Sequence, residues 1–196
     1  MLTLALVSAS LPLGLVQYDL VLSSNDDSLD VWVVIRTVMA SMELKVGDDA
    51  PEFEAMVSSG ESVKLSELIS DGSGVILYFY PRDNTPGCTT QACDFRDNFG
   101  RLNGSGWSVM GVSTDDAKSH QRFIEKNELP FQLIVDENAD LHELYGTWRE
   151  KNMYGKTYMG TLRSTFVINS EGKLDWVSYG VRAKGHVDEL IDFLRE

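Results

Sequence analysis

Residues 75–80, VILYFY, form an unbroken apolar, aromatic and β-branched run. A run of that length predicts a strand buried on both faces. Residues 107–113, WSVMGVS, read as a second strand and residues 132–135 as a third. Between these runs the pattern changes to helical spacing. Residues 88–103 suit a helix that opens after Pro86 and Gly87. Asp115 or Asp116 is placed to cap a helix running to Asn127. A short helix is expected over 139–145. Residues 164–168 (STFVI) and 174–178 read as strands joined by a Ser170-Glu171-Gly172 turn. Residues 186–195 close as a helix with Val187, Leu190, Ile191 and Leu194 on one face. Strands that alternate with helices and end in a hairpin plus a helix predict an α/β fold, a mixed central sheet flanked by helices.

Residues 1–41 break this pattern. An apolar stretch from Leu2 to Val16 is followed by Asp26, Asp27 and Asp30, and a second apolar run covers 31–35. No Lys or Arg precedes the first stretch, so the basic region of a signal peptide is missing, although Ser8, Ala9 and Ser10 are small enough for a cleavage site. Pro12, Gly14, Gln17 and Asp19 interrupt a run already short for a membrane span. The favoured reading is an N-terminal extension, or a start misplaced upstream of Met39 or Met42, with the folded domain over 42–196. A signal or anchor stays open as the alternative.

Composition narrows the function. The 196 residues, 43% hydrophobic and 24% charged, are enough for one ordinary globular domain. A formal net charge of -13 argues against nucleic-acid binding and against an anionic membrane surface, since little here would neutralise phosphates. The two cysteines, Cys88 and Cys93, stand five positions apart. A bridge between them would close so small a loop that it would stabilise the fold little. That points to reversible thiol chemistry in a reducing, cytoplasmic setting rather than a structural disulfide.

The chemistry concentrates in residues 80–97, YPRDNTPGCTTQACDFRD. A buried strand ends at Tyr80, and a loop with Pro81, Thr85, Pro86 and Gly87 follows. Cys88 falls in the first turn of the next helix. Free backbone N–H groups converge there, and the helix dipole is positive at that end. Such a setting stabilises a thiolate and can hold the oxygen of a peroxide or a departing oxyanion. Gly87 lets a ligand approach the backbone, and Pro86 is at home at a helix start. A lone cysteine is more often a small core residue, and the second cysteine and the strand–loop–helix setting are what shift that balance. A metal site is a poorer reading, because two thiolates with His120, His142 and His186 scattered along the chain make an incomplete ligand set.

Thr85-Pro86-Gly87-Cys88, followed by Thr89, Gln91, Ala92, Cys93, Phe95 and Arg96, resembles the active-site signature of peroxiredoxins, most closely the bacterioferritin-comigratory-protein (Q-type) branch. The likeness extends over 42–196, through Val46-Gly47-Asp48, Ala50-Pro51-Glu52-Phe53, Tyr145-Gly146-Thr147-Trp148 and residues 155–167. The resemblance implies a thioredoxin-like fold. It implies Cys88 as the peroxidatic cysteine and Cys93 as the resolving one. It also implies Thr85 as a hydroxyl bonded to the peroxide, Arg163 as the guanidinium that holds the thiolate and polarises the O–O bond, and Pro81 as a shield of the pocket. Taken alone, Arg163 reads as a surface arginine and Thr85 as a turn residue or cap. Trp148 and Tyr158 read more naturally as core residues than as lining of the site.

The implied reaction needs no flavin, haem or metal cofactor. Cys88 reduces a hydroperoxide, Cys93 condenses with the resulting sulfenic acid, and thioredoxin or a similar dithiol reduces the disulfide. A monomer or weak homodimer is expected. Two rival readings are kept. One is a thiol–disulfide oxidoreductase, which uses two residues between its cysteines where this chain has four. The other is a non-enzymatic redox sensor or holdase, which would react once and stop.

Overall fold

The central strand is set by the apolar run. In the structure, a computed structural model that describes residues 43–153 and 155–195, that run is β3, Gly74–Phe79, and all six of its residues are buried. Alternation sends Ile76 and Tyr78 into the core on one face and Val75, Leu77 and Phe79 into the core on the other. The readings of residues 1–41 lie outside the described residues.

The remaining elements are β1 (Glu54–Val57), β2 (Ser62–Lys64), α1 (Leu65–Leu68), α2 (Pro86–Gly104), β4 (Trp107–Ser113), α3 (Ala117–Asn127), β5 (Leu133–Val135) and α4 (Asp140–Leu144). They continue with β6 (Trp148–Met153), β7 (Lys156–Thr161), β8 (Ser164–Ile168), β9 (Leu174–Tyr179) and α5 (His186–Phe193). Seven strands form one sheet in the order β2-β1-β5-β4-β3-β8-β9, and β6 and β7 form a separate antiparallel pair. β3, β4 and β5 run parallel, whereas β8 lies antiparallel to β3. The expected mixed sheet is therefore present. α2, α3 and α5 contribute Phe95, Phe123 and Leu190 to one core, and α4 contributes Leu141 to the other.

Local signals placed the helix starts. Asp116, not Asp115, caps α3, accepting the Ser119 N–H at 2.7 Å. Pro86 opens α2. Four strands, β1, β2, β6 and β7, and the short helix α1 were not foreseen. β1 and β6 are only partly buried and carry charged residues, so their sequences lack a clean apolar period. Tyr158 on β7 departs from its expected core role, with 43% of its surface exposed. Trp148 is half-buried, with its ring edge-on to His142.

Gly111 shows how tightly the sheet is packed beneath the site. A Cβ there would stand 2.7 Å from the Tyr78 ring and from a Leu133 methyl. The missing side chain lets Tyr78 lie flat and stack on Phe95 of α2, ring centroids 4.6 Å apart. α2, which carries both cysteines, is thus seated on the sheet by its Phe95.

Candidate functional site

The site forms where the carboxyl end of β3 meets the start of β8. Phe79 pairs with Ser164 across those two strands, so the loop after β3 and the residue before β8 reach the same sheet edge. Cys88 enters from the first side and Arg163 from the second.

Cys88 is the third residue of α2 and only 2% exposed. The Thr89 N–H bonds the Thr85 carbonyl, closing the first helical turn. The N–H groups of Gly87 and Cys88 precede that turn and have no acceptor within the helix. Thr85, the residue before the helix, gives no side-chain cap to them. Its hydroxyl donates instead to the Arg82 carbonyl at 3.0 Å, which leaves the oxygen lone pairs available to accept. Two backbone donors and one hydroxyl acceptor therefore sit around the sulfur end of the helix.

Arg163 supplies the charge. One terminal nitrogen of its guanidinium lies 3.1 Å from Cys88 Sγ, and the other donates to the Gln91 side-chain carbonyl at 2.5 Å. A Cβ on Gly87 would come within 3.6 Å of the same guanidinium, so Gly87 keeps that flank narrow. Pro81 is half-buried directly after the strand. Cys93 is half-buried further along α2, and both cysteines are free. The structure thus brings Cys88, Arg163 and Gly87 together, with Thr85 at the mouth of the helix and Cys93 on a later turn.

Three further residues interact with this cluster, one by a hydrogen bond and two through charge. Gln91 is fully buried and orients Arg163; its spacing of three from Cys88 puts both on one helix face, a signal present in the sequence. Lys151, opposite Tyr158 in the β6–β7 register, donates to the Thr161 carbonyl. Burial, and then the positive charge of Arg163, hold its pKa below the ordinary lysine value, with Cys88 acting in the other direction. Nothing local marks Lys151, because the pairing of two largely polar strands is what brings it here.

The third is His186, which donates to or accepts from Thr165 Oγ1 at 2.8 Å. Burial, with the Arg163 charge added, pushes its pKa down from 6.5 to about 4. The unfolded chain therefore takes up this proton before the folded one does. The contribution of His186 to stability is complete above pH 6.5 and is lost as pH falls toward 4. Between pH 7 and pH 4 the wild type should lose about 3 kcal/mol more than His186→Gln. Urea unfolding of both proteins at the two pH values measures this, and equal losses would show that His186 does not titrate in that window.

A buried thiol at a helix start with a guanidinium against its sulfur is an arrangement that stabilises a thiolate and can hold an anionic oxygen beside it. Residues 46–177 match the AhpC/TSA family. Peroxiredoxin Bcp of Bacillus subtilis is 43% identical over 155 residues, 79% of this chain and 98% of the relative. Peroxiredoxin Bcp of Escherichia coli is 42% identical over 153 residues, 78% of this chain and 97% of the relative. The solved structure of Xanthomonas campestris peroxiredoxin Q superposes with a TM-score of 0.69 at 35% identity, covering 73% of this chain and 89% of that one. The chain belongs to the AhpC/TSA family and, within it, to the Q-type (Bcp) peroxiredoxins. It has their thioredoxin-like fold, and it is a thiol-dependent peroxidase that takes a hydroperoxide and a thiol reductant.

Proposed function

We propose that Cys88 is the peroxidatic cysteine, Cys93 the resolving cysteine, and thioredoxin or a similar dithiol protein the reductant. The observation that carries this reading is the Arg163–Cys88 contact of 3.1 Å at the open end of α2. The Cys88 thiolate attacks the nearer peroxide oxygen. The S–O bond forms, the O–O bond breaks, and the leaving alkoxide or hydroxide takes a proton. Arg163 and the N–H groups of Gly87 and Cys88 hold the negative charge through this step. Thr85 Oγ1 accepts from the peroxide O–H and aligns it, and Pro81 shields the pocket.

The Cys93 thiolate then attacks the Cys88 sulfur, the S–S bond forms, and hydroxide leaves as water. This step cannot occur on an intact helix. Five residues along α2 are a rise of about 7.5 Å and a turn of roughly 140° from the starting face. A disulfide needs Cα atoms within about 7 Å and facing Cβ atoms. The turn carrying Cys88 and Cys93 must therefore unwind. Unwinding also brings the buried Cys88 out to a protein dithiol, which restores both thiols by two exchanges.

The substrate range covers hydrogen peroxide and organic hydroperoxides. The working unit is a monomer or weak homodimer, with its domain over 42–196. Two free thiols suit the cytoplasm. Among the described residues no helix is long and apolar enough to cross a membrane.

The deciding experiment is intact mass and thiol count after one equivalent of hydrogen peroxide. The expected product has lost two hydrogens and both thiols. A product that gains one oxygen and keeps a thiol would remove Cys93 from the mechanism.

A further inference from the structure

The loop between β3 and α2 is held by a buried polar cluster that the peroxide chemistry does not use. Asp83 is 6% exposed, His120 of α3 is fully buried, and Tyr80 is 1% exposed. One Asp83 carboxylate oxygen accepts from the Tyr80 hydroxyl at 2.7 Å. The other lies 2.9 Å from His120 Nδ1. His120 Nε2 faces the Ile134 carbonyl at 3.2 Å. Both ring nitrogens thus face oxygen atoms of buried partners. Burial alone would raise the Asp83 carboxyl, but its bonds to His120 and Tyr80 outweigh that and leave it below the ordinary carboxylate value. The Asp83 N–H also donates to the Asp115 carboxylate at 2.8 Å, and Asp115 accepts from Ser113. Asp83 is consequently tied through both its side chain and its backbone.

The next residue behaves differently. Asn84 takes a left-handed backbone with φ of 57°, and its exposed side chain accepts from the exposed Lys126 amine at 3.3 Å. Beyond the cysteines, the chain is tied down again. Phe95 is fully buried against Tyr78, and Arg96 donates to the Asn127 carbonyl, the last residue of α3, at 2.8 Å. The Asp83–His120 contact and the Arg96–Asn127 bond both reach α3, and both cysteines lie between them.

We propose that α3 pins the redox segment at two points, through the Asp83–His120 pair upstream and the Arg96–Asn127 bond downstream, and so confines unwinding to residues 84–95. Asp83 and His120 are positioning residues: they touch neither sulfur nor peroxide. By holding the loop, they favour the folded pocket that captures peroxide and restrain the unwound state that forms the disulfide. They therefore set the balance between resolution and further oxidation of the sulfenic acid. This rests on the assignment of Cys88 and Cys93 above.

Amide exchange of the wild type, reduced and after one equivalent of hydrogen peroxide, tests the pins directly. Protection should fall across 87–93 on oxidation and persist at the Asp83 amide. Loss of protection at Asp83 together with 87–93 would overturn the proposal. Asp83→Asn and His120→Gln test the balance. Each replaces a charge-assisted buried bond with a weaker one. Stopped-flow fluorescence and acid-quenched mass spectrometry should show disulfide formation gaining about tenfold over sulfenic-acid formation. The peroxide dose that gives half sulfinic acid should rise by the same factor. A role in stability alone would lower the melting temperature and leave that ratio unchanged, which would also overturn the proposal. If Asp83→Asn does not fold, His120→Gln and the wild-type exchange pattern decide. Absence of a Cys88–Cys93 disulfide in the wild type would instead sink the cysteine assignment itself.

Discussion

Cys88→Ser is expected to lose at least about a thousandfold in peroxide turnover, because a serine hydroxyl is not a nucleophile at neutral pH without a general base. Among the described residues, the group against the sulfur is the Arg163 guanidinium, which donates and cannot accept. Cys93→Ser should behave differently. Its sulfur lies on a later turn of α2 and contributes nothing to the first attack. Reduced Cys93→Ser should consume one equivalent of peroxide within about twofold of the wild-type rate and then stall, since no thiolate condenses with the sulfenic acid. Excess peroxide should carry that variant on to the sulfinic acid. Stopped-flow measurement of the first turnover, followed by mass spectrometry, separates the two variants. Wild-type turnover by Cys88→Ser would reject the assignment.

The second large effect belongs to Arg163. It is the cation that touches the Cys88 sulfur, and it is aimed by a fully buried partner, Gln91. The negative charge that starts on sulfur spreads over the oxygens as the O–O bond breaks, so a donor fixed there stabilises the transition state without reorganising. Arg163→Ala should slow the peroxide step by about 10² to 10³-fold. Arg163→Lys should recover only part of that, because an ammonium brings the charge but not the planar fork that bridges Gln91 and Cys88. Thr85→Val should slow the same step by less, since one neutral hydrogen bond is lost. The observable is the second-order rate constant for peroxide with the reduced protein. A rate for Arg163→Ala equal to wild type would exclude Arg163 from the chemistry.

How far the sequence alone reaches can be judged from particular segments. β3, β4, β8, the start of α2 and a cap of α3 at Asp115 or Asp116 were legible because each is written in neighbouring residues: an apolar run, a Pro-Gly pair, an acidic pair, of which the structure uses Asp116. Cys88 at a helix start was legible for the same reason. The roles of Thr85 and Arg163 came only through likeness to a family. By itself, the spacing of 75 residues between Cys88 and Arg163 carries no signal.

Tertiary structure decided the rest. Antiparallel pairing of β8 with β3 in the register Phe79 to Ser164 is what delivers Arg163 to the sulfur. The β6–β7 hairpin, in which polar residues outnumber apolar ones and no apolar period stands out, became visible only as a pair, and it carries Lys151, which interacts with Arg163 and Cys88. His120 and His186 looked like scattered histidines. Burial gave each a fixed partner, Asp83 and Thr165, since a polar group removed from water must be bonded within the protein. Helix starts and buried strands follow from local propensity and period, which residues close in sequence encode. The site depends on contacts between distant segments, and those exist only once the sheet has chosen its order and register.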